Sequence, residues 1–298
     1  MLQGASKLSR FARVSGHNPE TGNFMVVIES KGISDVGKKR KGNEDAMFLD
    51  DAMNLYVVAD GMGGHQAGEV ASGLVVETIR DYMKQFKGNK GGGAGESEDT
   101  DESISRGANR LVSSIHLANR DVYGLSQKNE SYEGMGSTVS AVLFTDESLI
   151  AVNVGDSPIY LIHKDEIELI SVPHTVLAEQ KAIDPDRAKS LAPRFAHMLT
   201  RAVGIGETVK PDVCETAYFK GDVLVLSSDG LSDKVAPEEI LETVCREQKT
   251  HKACTALVDL ANERGGDDNI TVIVLKVRDK TNQKGWFAWL MSKISKIM

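Results

Sequence analysis

Cysteine is scarce in this chain: only Cys214, Cys245 and Cys254 occur, an odd number with no Cys-x-x-Cys pair. That argues against a disulfide framework or a thiolate zinc site and points to a reducing compartment, hence a cytoplasmic location. No apolar run approaches the length that spans a bilayer. The opening MLQGASKLSRFARVSG is polar and basic and lacks the apolar stretch of a secretory signal. An excess of basic residues is missing too. The formal net charge is −8, which argues against non-specific nucleic-acid binding. There is no Gly-x4-Gly-Lys-Ser/Thr loop, so a P-loop nucleotide triphosphatase is excluded. What remains, 41% hydrophobic and 26% charged residues over 298 positions, suits a globular domain with a sizeable core.

Periodicity divides the chain. Residues 1–23 read as a loose arm and FMVVIES (24–30) as a first strand. AMFLD (46–50) and LYVVAD (55–60) form a hairpin around DAMN. Helical spacing runs from Gln66 to Lys87 and from Ile104 to Lys128. Between them KGNKGGGAGESEDTDES (87–103) has almost no apolar side chain and is expected to be a flexible insertion. Residues 137–172 hold four short β-rich runs with connections too short for a helical crossover, which predicts an antiparallel meander. The fold class is therefore α+β. Residues 174–193 read as helical, with Asp184 capping a turn that has Pro185 at its first position. Strands are expected at 213–218, 222–227 and 269–277, and helices at 237–248 and 250–264.

Acidic residues recur where an apolar strand ends or begins beside glycine: YVVAD-G at Asp60, VNVGD at Asp156, LSSDG at Asp229 and GGDDN at Asp268. A carboxylate at a strand end is held by a rigid scaffold yet points out of it. Four such groups brought together would repel one another by about 4 kcal/mol per pair at 4 Å in a medium of effective dielectric near 20. They persist together only if protonated or filled with cations, and an all-oxygen donor set suits Mg²⁺ or Mn²⁺. Spacing alone leaves open whether they converge, since a lone Asp-Gly often does no more than cap a turn.

The segments SDVGKKRKGNEDA (34–46), VVADGMGGHQAGEVAS (57–72), GMGSTVSAVLF (134–144), VGDS (154–157), LSSDGLSD (226–233) and GGDDNITV (265–272) resemble, in order, the motifs of type 2C metal-dependent serine/threonine protein phosphatases, bacterial members in particular. The resemblance spans about Ser34 to Val277. It implies an α-β-β-α sandwich of two antiparallel sheets and a catalytic domain over 24–279. It also implies direct attack on phosphoserine or phosphothreonine by a metal-bridging hydroxide, with Mn²⁺ or Mg²⁺ as cofactor. Asp60 matches the carboxylate that bridges two metals, with Gly61 offering its carbonyl. Asp229 and Asp268 match the remaining protein ligands of the first metal, Glu44 and Asp45 match residues holding metal-bound waters, and Asp156 with Asp229 matches a third-metal site. Arg40 matches the arginine that grips the substrate phosphate. The partners implied are phosphoproteins, the products of a serine/threonine kinase.

Three departures from the family pattern stand out. Pro158 occupies the place of a usual arginine. Met62 stands where many eukaryotic members have histidine, which leaves a metal-bound water or His65 to protonate the leaving group; His65 also suits substrate positioning or helix capping. The third is the 87–103 insertion. An inactive relative serving as a binding module is the competing reading, and it is opposed by the presence of all four aspartates. Selectivity is expected from a flap at about 174–200. Beyond it, Trp286–Met298 has helical spacing with an apolar stripe and no acid. Such a tail would dock on this chain, on a partner groove or, less favoured, at a membrane interface.

Overall fold

The computed structural model describes residues 24–63, 67–86, 101–191, 195 and 197–282. His65, most of the 87–103 insertion, the N-terminal arm and the tail helix lie outside them. Two antiparallel sheets stack face to face. One runs β1 (Phe24–Asp35), β11 (Ile270–Asn282), β10 (Val223–Ser227), β7 (Ile159–His163), β8 (Glu166–Leu169). The other runs β2 (Asp45–Asp50), β3 (Leu55–Met62), β5 (Val139–Phe144), β6 (Leu149–Val154), β9 (Asp212–Thr216), with the short β4 (Gly136–Ser137) paired to β3.

The central strands are buried on both faces, which is why they read as apolar runs rather than as alternation. In β3, Leu55, Val57 and Ala59 join the core beneath α1 (Ala67–Lys84) and α2 (Arg106–Lys128). Their neighbours Tyr56 and Val58 face the opposite sheet. In β10, Leu224 and Leu226 face inward between the sheets. Val223 and Val225 face the outer layer of α6 (Pro237–Glu247) and α7 (Thr250–Glu263). Helix, sheet, sheet and helix thus form four layers around three apolar seams, the expected α+β sandwich.

The expected meander is corrected in one respect. β5 pairs with β6 and β7 with β8, but β6 and β7 belong to different sheets. The four residues Gly155–Pro158 carry the chain across. Gly155 has φ +101°, which turns the backbone out of the first sheet. Pro158 has no N–H for a ladder and enters β7 from outside. Four residues can extend about 13 Å, enough to bridge sheets packed about 10 Å apart.

The stretch read as helical over 174–193 holds α3 (Val176–Ile183), capped by Thr175, and the short α4 (Pro185–Ala188). Asp184 Oδ1 accepts from the amides of Asp186 and Arg187, so the cap and the leading proline lie where the sequence puts them. The first and last strands run past their expected ends, to Asp35 and Asn282, because they pair with each other along their whole length. Among the described residues no helix is long and apolar enough to cross a membrane. Cys214, Cys245 and Cys254 are all free thiols.

Candidate metal centre

The acidic motifs meet at one end of the sandwich. β3 and β10 run toward that end, β2 and β11 start from it, and β6 turns there. Antiparallel pairing sets Asp45, opening β2, directly opposite Asp60 near the end of β3. Asp229 opens the short helix α5 (Asp229–Ser232) directly after β10, and Asp268 precedes β11. Asp60, Gly61, Asp156, Asp229, Asp268, Glu44 and Arg40 line one cavity of about 590 Å³. Asp45 lies just behind it.

Electrostatic conflict marks the cluster. Burial, then the charges of Asp45, Asp229, Asp268 and Asp156, hold the Asp60 carboxyl well above its ordinary range. Asp229 is pushed up to about 7 by burial and by Asp156, Asp233 and Asp268. A side-chain hydrogen bond with Asp60 offsets part of that rise. Burial raises Asp45 and Asp156 to about 6 each. Asp45 Oδ2 accepts from Ser228 Oγ at 2.8 Å, whereas its Oδ1 is buried without a hydrogen-bond partner. A buried carboxylate oxygen with no donor and a set of mutually raised acids fit a hard divalent cation, which would supply the missing positive charge.

The backbone around these groups is fixed by close packing. A Cβ on Gly61 would lie 2.1 Å from the Gly68 carbonyl oxygen and 2.5 Å from that of Glu44. A Cβ on Gly68 would lie 2.3 Å from Glu44 Oε2. The two glycines therefore let β2, β3 and α1 converge with the Glu44 carboxylate between them. Gly61→Ala is expected to destabilise the fold by roughly 1–3 kcal/mol through overpacking. Gly73→Ala, in α1 with nothing within 4 Å of the added Cβ, should instead stabilise it by up to about 1 kcal/mol. Urea denaturation of both variants checks the pair, and equal midpoints would refute the close-approach reading.

Residues not singled out from the sequence hold the site together. Asn269 is 4% exposed. Its Oδ1 accepts from the Glu44 amide, and its Nδ2 donates to the carbonyls of Val36 and Gly42. It clamps the loop that carries Arg40 onto the start of β11. Thr138 Oγ1 accepts from the Asp60 amide at 3.0 Å and lies 2.7 Å from Ser157 Oγ, joining the Asp60 and Asp156 turns. Both residues sit inside the recognised motifs, but their side chains carry no charge pattern that would single them out. A further group, His197 with Asp229 and Asp233, presents ligand atoms within 4.8 Å of one another on the flap side.

Arg40 donates through Nη2 to Asp268 Oδ2 at 2.7 Å and stands half exposed at the mouth. Lys38, Lys39 and Lys41 are exposed around it, as expected of solvated neighbours. Met62 lies at the cavity wall with Ile205; both reach over Gly136. The Pro158 carbonyl accepts from the Ser227 amide at 3.2 Å, so proline is accommodated where the strand begins.

Comparison with known proteins agrees with this geometry. The profile of the family Protein phosphatase 2C matches residues 38–265. The chain is 33% identical over 257 residues to the serine/threonine protein phosphatase PstP of Mycobacterium tuberculosis, covering 85% of this chain and 46% of that protein. It is 30% identical over 257 residues to the serine/threonine phosphatase stp of Listeria monocytogenes, covering 85% of this chain and 96% of that one. Among solved structures, the catalytic domain of PstP in complex with two manganese ions superposes with a TM-score of 0.70 at 31% identity, covering 86% of this chain and all of that one (100%). With the profile spanning most of its length and the carboxylates gathered at one end of the matching sandwich, this chain belongs to the protein phosphatase 2C family.

Proposed function

We propose that this chain is an active metal-dependent protein serine/threonine phosphatase, acting on phosphoproteins made by a serine/threonine kinase. The observation that carries this reading is the convergence of Asp60, Asp156, Asp229 and Asp268, from four separate strand ends, on a single cavity with Arg40 at its mouth. An inactive binding relative would have no need to keep four mutually repelling acids together. The free thiols fit a reducing compartment.

In this reading Asp60, the Gly61 carbonyl, Asp229 and Asp268 would hold the catalytic cations, Asp156 with Asp229 would hold a further one, and Glu44 and Asp45 would support the site from behind through hydrogen bonds. Such cations would supply charge to neutralise the phosphate and to activate a water for attack. Arg40 orients the substrate: its planar fork pairs with two phosphate oxygens once it leaves Asp268. Substrate positioning is assigned to His65 as well.

The test is hydrolysis of a phosphothreonine peptide with Mn²⁺, after excess EDTA, and after Mn²⁺ is restored. Loss and recovery are expected; full turnover in EDTA would sink the proposal. Arg40→Ala should raise KM roughly 10–100-fold with little change in kcat, since a charge-assisted hydrogen bond contributes about 1.5–3 kcal/mol. Arg40→Lys should recover only part of that, because a lysine offers no bidentate fork. Steady-state kinetics decide it; a kcat effect without a KM effect would assign Arg40 to the chemical step.

A further inference from the structure

His174 is buried to 1% exposure behind the cavity rather than in its wall, and every polar atom it has is engaged. Its Nδ1 accepts from the Gly155 amide at 3.1 Å, and its own amide donates to the Gly155 carbonyl at 3.0 Å. Its Nε2 lies 2.6 Å from Asp212 Oδ2 on β9. Its carbonyl accepts from the Thr200 amide at 2.9 Å. Because Nδ1 receives an N–H, the ring proton must sit on Nε2 and be donated to Asp212. Arg201 Nη1 donates to the same Asp212 oxygen at 2.8 Å and to the Lys210 carbonyl at 3.3 Å. Two donors, one from the histidine and one from the flap, therefore converge on one carboxylate, and together they hold Asp212 below the usual carboxylate range.

What the ring joins is specific. On its Nδ1 side is Gly155, whose φ of +101° sets the direction in which Asp156 leaves the sheet. No other residue fits there, since a Cβ would lie 2.6 Å from Thr138 Cγ2. On its Nε2 side are Asp212 and Arg201, whose Nη1 also lies 3.2 Å from Nε2 itself; Arg201 with Leu199, Thr200 and Ala202 forms the flap rim of the cavity. The neighbouring strand end is stitched in the same way: the Asn153 amide group donates to the Val172 carbonyl and accepts from the Val172 amide. The imidazole thus touches both the turn bearing an acidic group of the centre and the carboxylate that anchors the rim.

We propose that His174 is a positioning residue that sets the Asp156 turn through Nδ1 and the Thr200–Arg201 rim through Nε2, so that cation binding and phosphopeptide binding depend on separate nitrogens of one ring. This rests on the reading of Asp156 as a cation ligand.

The two nitrogens can be separated in the intact protein. Asparagine places an amide oxygen near the Nδ1 position and cannot reach Asp212. Glutamine reaches toward Asp212 with an N–H but leaves Gly155 without its acceptor. Mn²⁺ binding is followed by isothermal calorimetry, and Gly155 amide protection by hydrogen exchange. KM is measured for a phosphothreonine peptide and for p-nitrophenyl phosphate.

His174→Gln should expose the Gly155 amide and weaken the weakest Mn²⁺ site roughly tenfold, the scale of an orienting contact behind a ligand. Its peptide KM should stay near normal. His174→Asn should keep Gly155 protected and Mn²⁺ binding normal. It should raise the peptide KM about tenfold while the small substrate is unaffected, because a rim contact is made only by the larger ligand. Asp212→Asn should copy His174→Asn, which keeps the test open if the glutamine variant fails to fold. Equal movement of both readouts in both histidine variants, as a merely structural residue would give, overturns the proposal, and so does movement in neither. If an Asp156→Asn control leaves Mn²⁺ binding unchanged, the ligand reading of Asp156 fails instead. Gly155 exchange and peptide KM then still judge His174.

Discussion

Replacing Asp229 with asparagine is expected to lower kcat by roughly three orders of magnitude on both a phosphopeptide and p-nitrophenyl phosphate, because it removes a charged ligand where cation charge does the chemistry. The same change should leave the cation-free protein as stable as before, or more so. Asparagine has the shape of a protonated aspartic acid, and burial together with the neighbouring carboxylates already pushes Asp229 up to about 7. A substitution that destroys activity while relieving repulsion is the mark of a group kept for function rather than for folding. Asp259→Asn on the exposed face of α7 serves as the control. Steady-state kinetics and melting curves on the folded variants check the result. A kcat within a fewfold of the parent protein would refute the placement of Asp229 in the chemistry.

Adding Mn²⁺ is expected to raise the melting temperature, and by more at pH 8 than at pH 5. Binding to the native state at a free concentration of about 100 times Kd stabilises it by about 2.7 kcal/mol per site. For a chain of this size that corresponds to roughly 4–5 °C. The pH dependence follows from the direction of the shifts. Asp45 and Asp156, raised to about 6, and Asp229, raised to about 7, keep protons in the folded state that the unfolded chain, near 3.8, has already released. Their contribution to stability is therefore present at low pH and lost as pH rises from about 4 through 7. The cation-free protein should be weakest above pH 7, where the ionised cluster repels itself. Cations replace the protons there and have most to offset. Differential scanning fluorimetry with EDTA or Mn²⁺ at both pH values tests this. An equal shift at both would mean that the acids do not converge on the ion.

Much of the centre was legible as local chemistry. Asp60, Asp156 and Asp229 each sit beside glycine and Asp268 two residues after one, all at strand boundaries, and such spacing persists in any fold that keeps the strands. Asp184 with Pro185 and the hairpin of β2 and β3 were equally local. The sheet assignment of β6 and β7 was not. A four-residue connection fits a hairpin as well as a crossing between stacked sheets, and only burial of both faces of every central strand selects the crossing. Asn269, Thr138 and His174 were missed for a related reason. An uncharged amide, a hydroxyl and a single histidine have no periodicity, and their importance comes from partners 19 to 233 positions away, from Thr138 to Ser157 and His174 to Gly155 up to Asn269 to Val36.

The amino-acid sequence by itself determined the apolar strands, their acidic ends and the glycines that let main chains meet, because these are properties of neighbouring residues. Which acids share one cavity, which oxygen of Asp45 is left without a donor, and which single ring joins the Asp156 turn to the flap were decided only by tertiary structure. Antiparallel pairing and sheet stacking bring distant strand ends to the same face of the sandwich, and the energies that matter there, repulsion and desolvation, depend on distance in space rather than along the chain.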